Sequence, residues 1–333
     1  MKKILLLLIA SITFSSCEVA KDHAIFSGTI TNQNSDSLII RSIGYIKKIT
    51  VNEDGTFSDT LKIKGGNFQF YDGKKMSSIH LMNGYDLKLM LDAKEFHKTI
   101  TFSGRGANAN NYLAKKILLQ QKVFNDTAFY TLKRDVFDAE IKKSIGEISN
   151  VLSSVKDSDS TFIADQKNSI DRLEVYSVRK YEDKQHIATF LARGNPSPKF
   201  MDYENYAGGT TSLDDLKGKY VYINVWTTWC VPCKVEMPYL KEVKKAYYGK
   251  HIAFVSISVD DQKVYDAWRE MIADKELTGI QLYAKGDETF TDAYRIRGIP
   301  RFILIDPKGN VVDADAPRPS SKELRTLFDS LEI

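Results

Sequence analysis

The chain has 333 residues, room for two or three domains with cores of their own. With 43% hydrophobic and 27% charged residues it reads as soluble and globular, which excludes a disordered chain. The formal charge is +4, from 47 basic and 43 acidic residues. The basic residues read as scattered over a solvated surface, and no basic aromatic stripe points to nucleic acid as a partner.

Lys2 and Lys3 precede an apolar run over residues 4–10, and Ser15-Ser16 lead into Cys17. A positive start, a short apolar centre and small residues at a cut site describe an export signal over residues 1–16; the run is too short to span a bilayer. Phe14-Ser15-Ser16-Cys17 resembles the bacterial lipobox, with Phe14 where Leu is usual. That resemblance implies lipidation at Cys17, so that the chain is held to a membrane in the cell envelope, facing the periplasm. An ordinary signal peptide with an incidental cysteine is the plainer alternative. In an oxidising compartment the remaining pair, Cys230 and Cys233, is either a disulfide or a redox couple.

Residues 24–105 read as an all-β domain. The runs 25–30, 37–43, 46–51 and 86–91 are rich in β-branched and large apolar residues, and Glu53-Asp54-Gly55, Gly65-Gly66 and Asn83-Gly84 punctuate them as turns. No helical stretch separates these strands, so parallel pairing is not expected. Residues 106–193 change character: Gly146 is the only glycine or proline between 107 and 192. Apolar residues recur three and four apart, first Leu113, Ile117 and Phe124, then Val136, Ile141, Ile145, Ile148 and Leu152, which is amphipathic-helix spacing. A break near 153–160 precedes a second helical group over 162–191.

Gly194-Asn195-Pro196-Ser197-Pro198 reads as an entry turn to a last domain, residues 194–333. Strands alternate with helices there: strand 220–226, helix 230–248, strand 252–259, helix 262–274, strands 301–306 and 310–312 about the turn Pro307-Lys308-Gly309, and a closing helix 321–331. The pattern is α/β.

Within Trp229-Cys230-Val231-Pro232-Cys233 the cysteine pair has three readings. Structural zinc wants four ligands, and there is neither a second pair nor a spaced histidine doublet beside His186 and His251. Lys234 follows Cys233 where haem attachment needs His. A staple closing so short a loop removes little unfolded-chain entropy. Electron transfer fits better. Cys230 follows an apolar strand and opens a helix, near free N–H groups and the positive dipole end, a setting that favours thiolate. Pro232 suits the first turn, and Cys233 is near enough to close the ring and release a substrate.

These residues, with Glu236, Pro238 and Gly298-Ile299-Pro300 ahead of the strand Phe302-Ile303-Leu304-Ile305-Asp306, resemble the TlpA/ResA-like group of the thioredoxin superfamily, exported thiol-disulfide oxidoreductases. The resemblance covers residues 194–333 and implies a thioredoxin-like fold there. It implies Cys230 as nucleophile, Cys233 as resolving thiol, and Pro300 as a cis-proline that leaves the Ile299 backbone free for a substrate strand. Trp229 would shield the disulfide and Glu236 would accept or return the proton of Cys233; a Glu favoured by the helix dipole is the alternative. The buried Asp of thioredoxins is matched by Asn224. The implied partners are disulfide-containing exported proteins and a membrane electron donor, in cytochrome c maturation or thiol repair, with no cofactor or metal beyond the Cys230–Cys233 disulfide.

Peroxiredoxins are the neighbouring class, but Thr227 supplies only half of their loop and Ile223 stands where proline is needed. Phe26-Ser27-Gly28-Thr29-Ile30, Asp54-Gly55-Thr56-Phe57 and Phe102-Ser103-Gly104 resemble a β domain often fused ahead of such modules; it reads as a positioning or partner-binding part, with the helices as spacer. A lipoprotein adaptor with a vestigial redox domain is the alternative function.

Overall fold

The computed structural model describes residues 22–156 and 158–333; residues 1–16, read above as an export signal, and Cys17 lie outside the described residues. The chain divides into two compact units, one ending at Ser177 and one starting at Val178.

The first unit holds β1 (Ala24–Thr31), β2 (Ser37–Ser42), β3 (Tyr45–Thr50), β4 (Thr56–Leu61), β5 (Gly66–Tyr71), β6 (Met76–Leu81), β7 (Asp86–Asp92), α1 (Phe96–Thr99) and β8 (Thr101–Arg105). They form two four-stranded sheets, ordered β4-β1-β7-β8 and β3-β2-β5-β6. Inward residues of both, among them Phe26, Ile40, Phe70 and Leu89, share one core. Contrary to expectation, β1 and β7 pair in parallel, Ile25 opposite Asp86. A parallel pair needs a crossover but not a helical one, and here the excursion through the other sheet serves. Gly28 makes that pairing possible: a Cβ there would lie 2.2 Å from the Leu89 carbonyl oxygen.

Three helices follow, α2 (Ala107–Val123), α3 (Arg134–Ser153) and α4 (Ser160–Phe190). At the start of α2, Asn110 accepts from the His80 N–H and donates to its carbonyl. Asn111 does the same for Phe102. Each side chain thereby covers the open rim of an edge strand, β6 in one sheet and β8 in the other. On α3 the buried face runs through Phe137, Ile141, Ser144, Ile148 and Leu152, whereas Val136, expected on it, is exposed. The larger Phe137, one position on, takes the inward place.

The second unit opens inside α4; Ile187 of that helix and Leu191, just past its end, pack in the core. Then come β9 (Tyr203–Asn205), β10 (Thr210–Thr211), β11 (Tyr220–Trp226), α5 (Val231–Ala246), β12 (Ile252–Ser258), α6 (Tyr265–Asp274), β13 (Ile280–Tyr283), α7 (Thr289–Ala293), β14 (Arg301–Ile305), β15 (Val311–Asp313) and α8 (Lys322–Asp329). The sheet order is β10-β9-β13-β12-β11-β14-β15, with β13, β12 and β11 parallel and β14 antiparallel to β11. Side chains alternate across it. Ile223, Val225, Ile257 and Ile303 face Phe290 and Tyr294, while Tyr222, Phe254 and Leu304 face Leu240, Leu324 and Phe328. The stretch read as one helix over 262–274 is a 3-10 turn, Gln262–Val264, followed by α6.

Candidate active site

Apolar β11 delivers the chain to the sheet's C-terminal end, where Cys230 caps α5 with extended backbone and Pro232 sits in the first turn. Cys230 and Cys233 are joined by a disulfide. The Cys233 N–H donates to Cys230 Sγ at 3.2 Å, so one free amide of the helix start is aimed at that sulfur. Once the disulfide is opened, the same amide and the helix dipole favour the Cys230 thiolate. Trp226, Met237, Trp268, Ile272 and Tyr283 pack beneath the pair. Cys230 is buried in the oxidised protein, with 3% exposure.

Ile299–Pro300 is a cis peptide bond. Ile299 packs against the disulfide's apolar cluster, yet β14 begins only at Arg301, and neither Gly298 nor Ile299 pairs with a strand. Trp229 is 69% exposed while Trp226 is core. Trp229 and Ile299 line one cleft of about 560 Å³ together with Val259, Asp261, Ile296 and Gly298. Val231 and Val235 also face solvent on α5, giving the disulfide an apolar rim.

Glu236 is buried one turn beyond Cys233. Its carboxylate accepts from the Ser320 backbone N–H at 3.0 Å and the Ser320 hydroxyl at 2.8 Å, and no hydrogen bond joins it to Cys233 among the described residues. Asn224 and Thr227 are buried, and neither Asn224 Oδ1 nor Thr227 Oγ1 has a hydrogen-bond partner among the described residues. Pro238 lies inside α5. Arg301 turns away to Asp315, 3.0 Å from it.

Sequence reasoning missed Asp260. It is 1% exposed at the tip of β12, and its carboxylate accepts from the Thr228 N–H (2.8 Å), the Thr228 hydroxyl (3.1 Å) and the Ser258 hydroxyl (2.8 Å). A buried carboxylate thus holds the loop two residues before the nucleophile. Burial first, then the charges of Asp260 and Asp261, push the Tyr283 phenol beneath the disulfide up to about 12. An acidic residue just past an apolar strand was the only signal of it.

Residues 192–329 match the Redoxin family model. The thiol-disulfide oxidoreductase ResA of Bacillus subtilis is 32% identical over 122 residues, 37% of this chain and 66% of that protein, just under two thirds of its length. ResA of Bacillus cereus is 32% identical over 138 residues, 41% of this chain and 78% of the relative. The chain belongs to the ResA-like thiol-disulfide oxidoreductases of the thioredoxin superfamily. The matched residues of this ResA-like chain fall within its second unit. A solution structure of a putative thiol-disulfide oxidoreductase from Bacteroides vulgatus shares 50% identity, covering 42% of this ResA-like chain and 91% of that one, with a TM-score of 0.38. A crystal structure from the same organism shares 37%, covering 43% and 98%, with a TM-score of 0.40.

Proposed function

We propose that this chain reduces disulfides of exported proteins in the cell envelope, facing the periplasm and tethered to a membrane through lipid at Cys17. The observation that carries the reading is Cys230 Sγ at the cap of α5, receiving an N–H, with Cys233 bonded to it and Ile299 packed alongside. In the reduced enzyme the Cys230 thiolate attacks one sulfur of a substrate disulfide. A mixed disulfide forms, and the other substrate sulfur leaves as thiolate and takes up a proton. Cys233, deprotonated, then attacks Cys230 Sγ and displaces the second substrate sulfur, which leaves as thiolate and takes up a proton as the Cys230–Cys233 bond closes. The substrate gains two electrons, and a membrane electron donor restores them to the pair. Glu236 is the group proposed to take the Cys233 proton, by exchanging its Ser320 hydrogen bonds. Trp229 and Ile299 line the cleft proposed to receive the substrate strand. Cytochrome c maturation and thiol repair are the two settings that such a reductant serves, and the first unit is proposed to position it or its partners.

Cys233→Ser is the test, since it removes the resolving thiol and leaves Cys230 able to attack. Reduced and offered exported proteins, it is expected to accumulate mixed disulfides through Cys230. A variant that traps nothing, beside a wild type that fails to reduce insulin, leaves the adaptor reading standing. A reduction potential near the roughly −120 mV of a dedicated oxidant overturns the direction proposed.

A further inference from the structure

The end of the second unit's sheet away from the disulfide carries a groove of about 1000 Å³. The disulfide sits where β11 ends and α5 begins; the groove lies where α5 ends and β12 begins. Lys219, Lys241, Lys244, Lys245, Lys250 and His251 line it, against one carboxylate, Glu276. Among the described residues none of these lysines is in an ion pair, whereas Lys199, Lys217 and Lys285 of the same unit are. In a chain of net charge +4 this is a marked concentration, so the basic residues are not evenly scattered as the sequence suggested. Lys244 is drawn inward, donating to the Thr278 carbonyl at 2.5 Å; burial first, and the charge of Lys241 second, lower its pKa to about 8. The floor is apolar, with Ile252, Phe254 and Tyr247, whose hydroxyl is spent on Asp329. At the rim Tyr248 is 91% exposed.

Cations that outnumber the single carboxylate of the lining, over an apolar floor and beside an exposed aromatic ring, match an anionic headgroup attached to an apolar body. Rings of this kind settle at headgroup level, lysine stems lie along apolar matter, and their ammonium groups meet phosphate. From this charge complementarity we propose that the groove is a docking site for an anionic phospholipid, its phosphate met by the lysines and its glycerol and first methylenes by the tyrosine-lined floor. Nothing in the proposal depends on the redox reading.

The test uses the full chain with Cys17→Ser, so that it bears no lipid of its own. The probes are vesicles of phosphatidylcholine with and without phosphatidylglycerol, soluble dihexanoylphosphatidylglycerol, inorganic phosphate and polyglutamate. Phosphatidylglycerol is expected to raise vesicle binding at least about tenfold, and 0.5 M salt to abolish the gain. At roughly fivefold per lysine, Lys219→Ser/Lys245→Ser/Lys250→Ser lowers binding on the order of a hundredfold with an unchanged melting temperature. Dihexanoylphosphatidylglycerol shifts the NMR signals of the groove residues. Equal binding to both vesicles, or a triple variant that binds like its parent, overturns the proposal. Inorganic phosphate binding as tightly as the soluble lipid makes it a free-anion site, and polyglutamate displacing lipid at lower concentration assigns it to an acidic protein; both also overturn it.

Discussion

Asp260 holds Thr228 twice, by its backbone N–H at 2.8 Å and its hydroxyl at 3.1 Å, and Thr228 stands two residues before Cys230. This carboxylate is buried among neutral donors, so its charge is poorly screened and opposes what the start of α5 offers to a thiolate. Asp260→Asn keeps the size and most of the hydrogen bonds while deleting the charge. The alkylation midpoint of Cys230 in the reduced protein is expected to fall by roughly half to one pH unit, and the couple to become more oxidising. An unchanged midpoint in a folded variant removes Asp260 from the redox chemistry and leaves it a loop anchor.

Glu236 and Ser320 make a second separable pair. Ser320→Ala deprives a buried carboxylate of one donor and is expected to destabilise the second unit by about 1–3 kcal/mol in urea unfolding. Glu236→Gln keeps the shape but cannot take a proton, so mixed disulfide should persist longer while its formation stays at the wild-type rate. Equal slowing of both halves of exchange contradicts a proton-transfer role.

Lys116 gives the first unit a pH signature. It is 7% exposed, and Nζ donates to Gln166 (2.9 Å) and Ser169 (2.8 Å). Burial, then the charge of Arg172, lowers its pKa from 10.5 to about 8. Between those values the unfolded chain binds more protons than the folded one, so stability rises with pH there, and the penalty is fully present below pH 8. Wild type is expected to gain on Lys116→Met by on the order of 2–3 kcal/mol between pH 7 and 10.5. Parallel stability curves for the two proteins would count against the buried, weakened ammonium.

Gly28→Ala tests the β1–β7 pairing. The added methyl meets backbone rather than a movable side chain, so the strands must part. A loss of about 2–4 kcal/mol from the first unit, with faster amide exchange along β1 and β7, is expected. The insulin-reducing activity of the second unit is the internal control.

What was legible in the sequence was local. The Cys230 helix start, the strand before it and the Gly298-Ile299-Pro300 turn are each written in neighbouring residues. What escaped depends on residues far apart. Asp260 is 32 positions from Thr228 and meets it only because β11 and β12 end side by side. Strands β9, β10 and β13 are two to four residues long, too short for any period to show. The lysines at 241, 244, 245 and 250 were visible, but only the fold sets Lys219 beside them. Glu236 was correctly placed one turn from Cys233, yet its partner Ser320 arrives from the other end of the unit.

The place of β1 between β4 and β7 also bears on how the chain comes into being. A polypeptide delivered amino end first presents this strand early, with β4 soon at hand as one neighbour. The other neighbour is missing until residue 92 has emerged. Throughout that interval an apolar ribbon stands with a bare edge, open to whatever strand drifts past. Birth order and architecture are at odds here, so a chain stalled between residues 61 and 86 holds β1 with one edge unpaired.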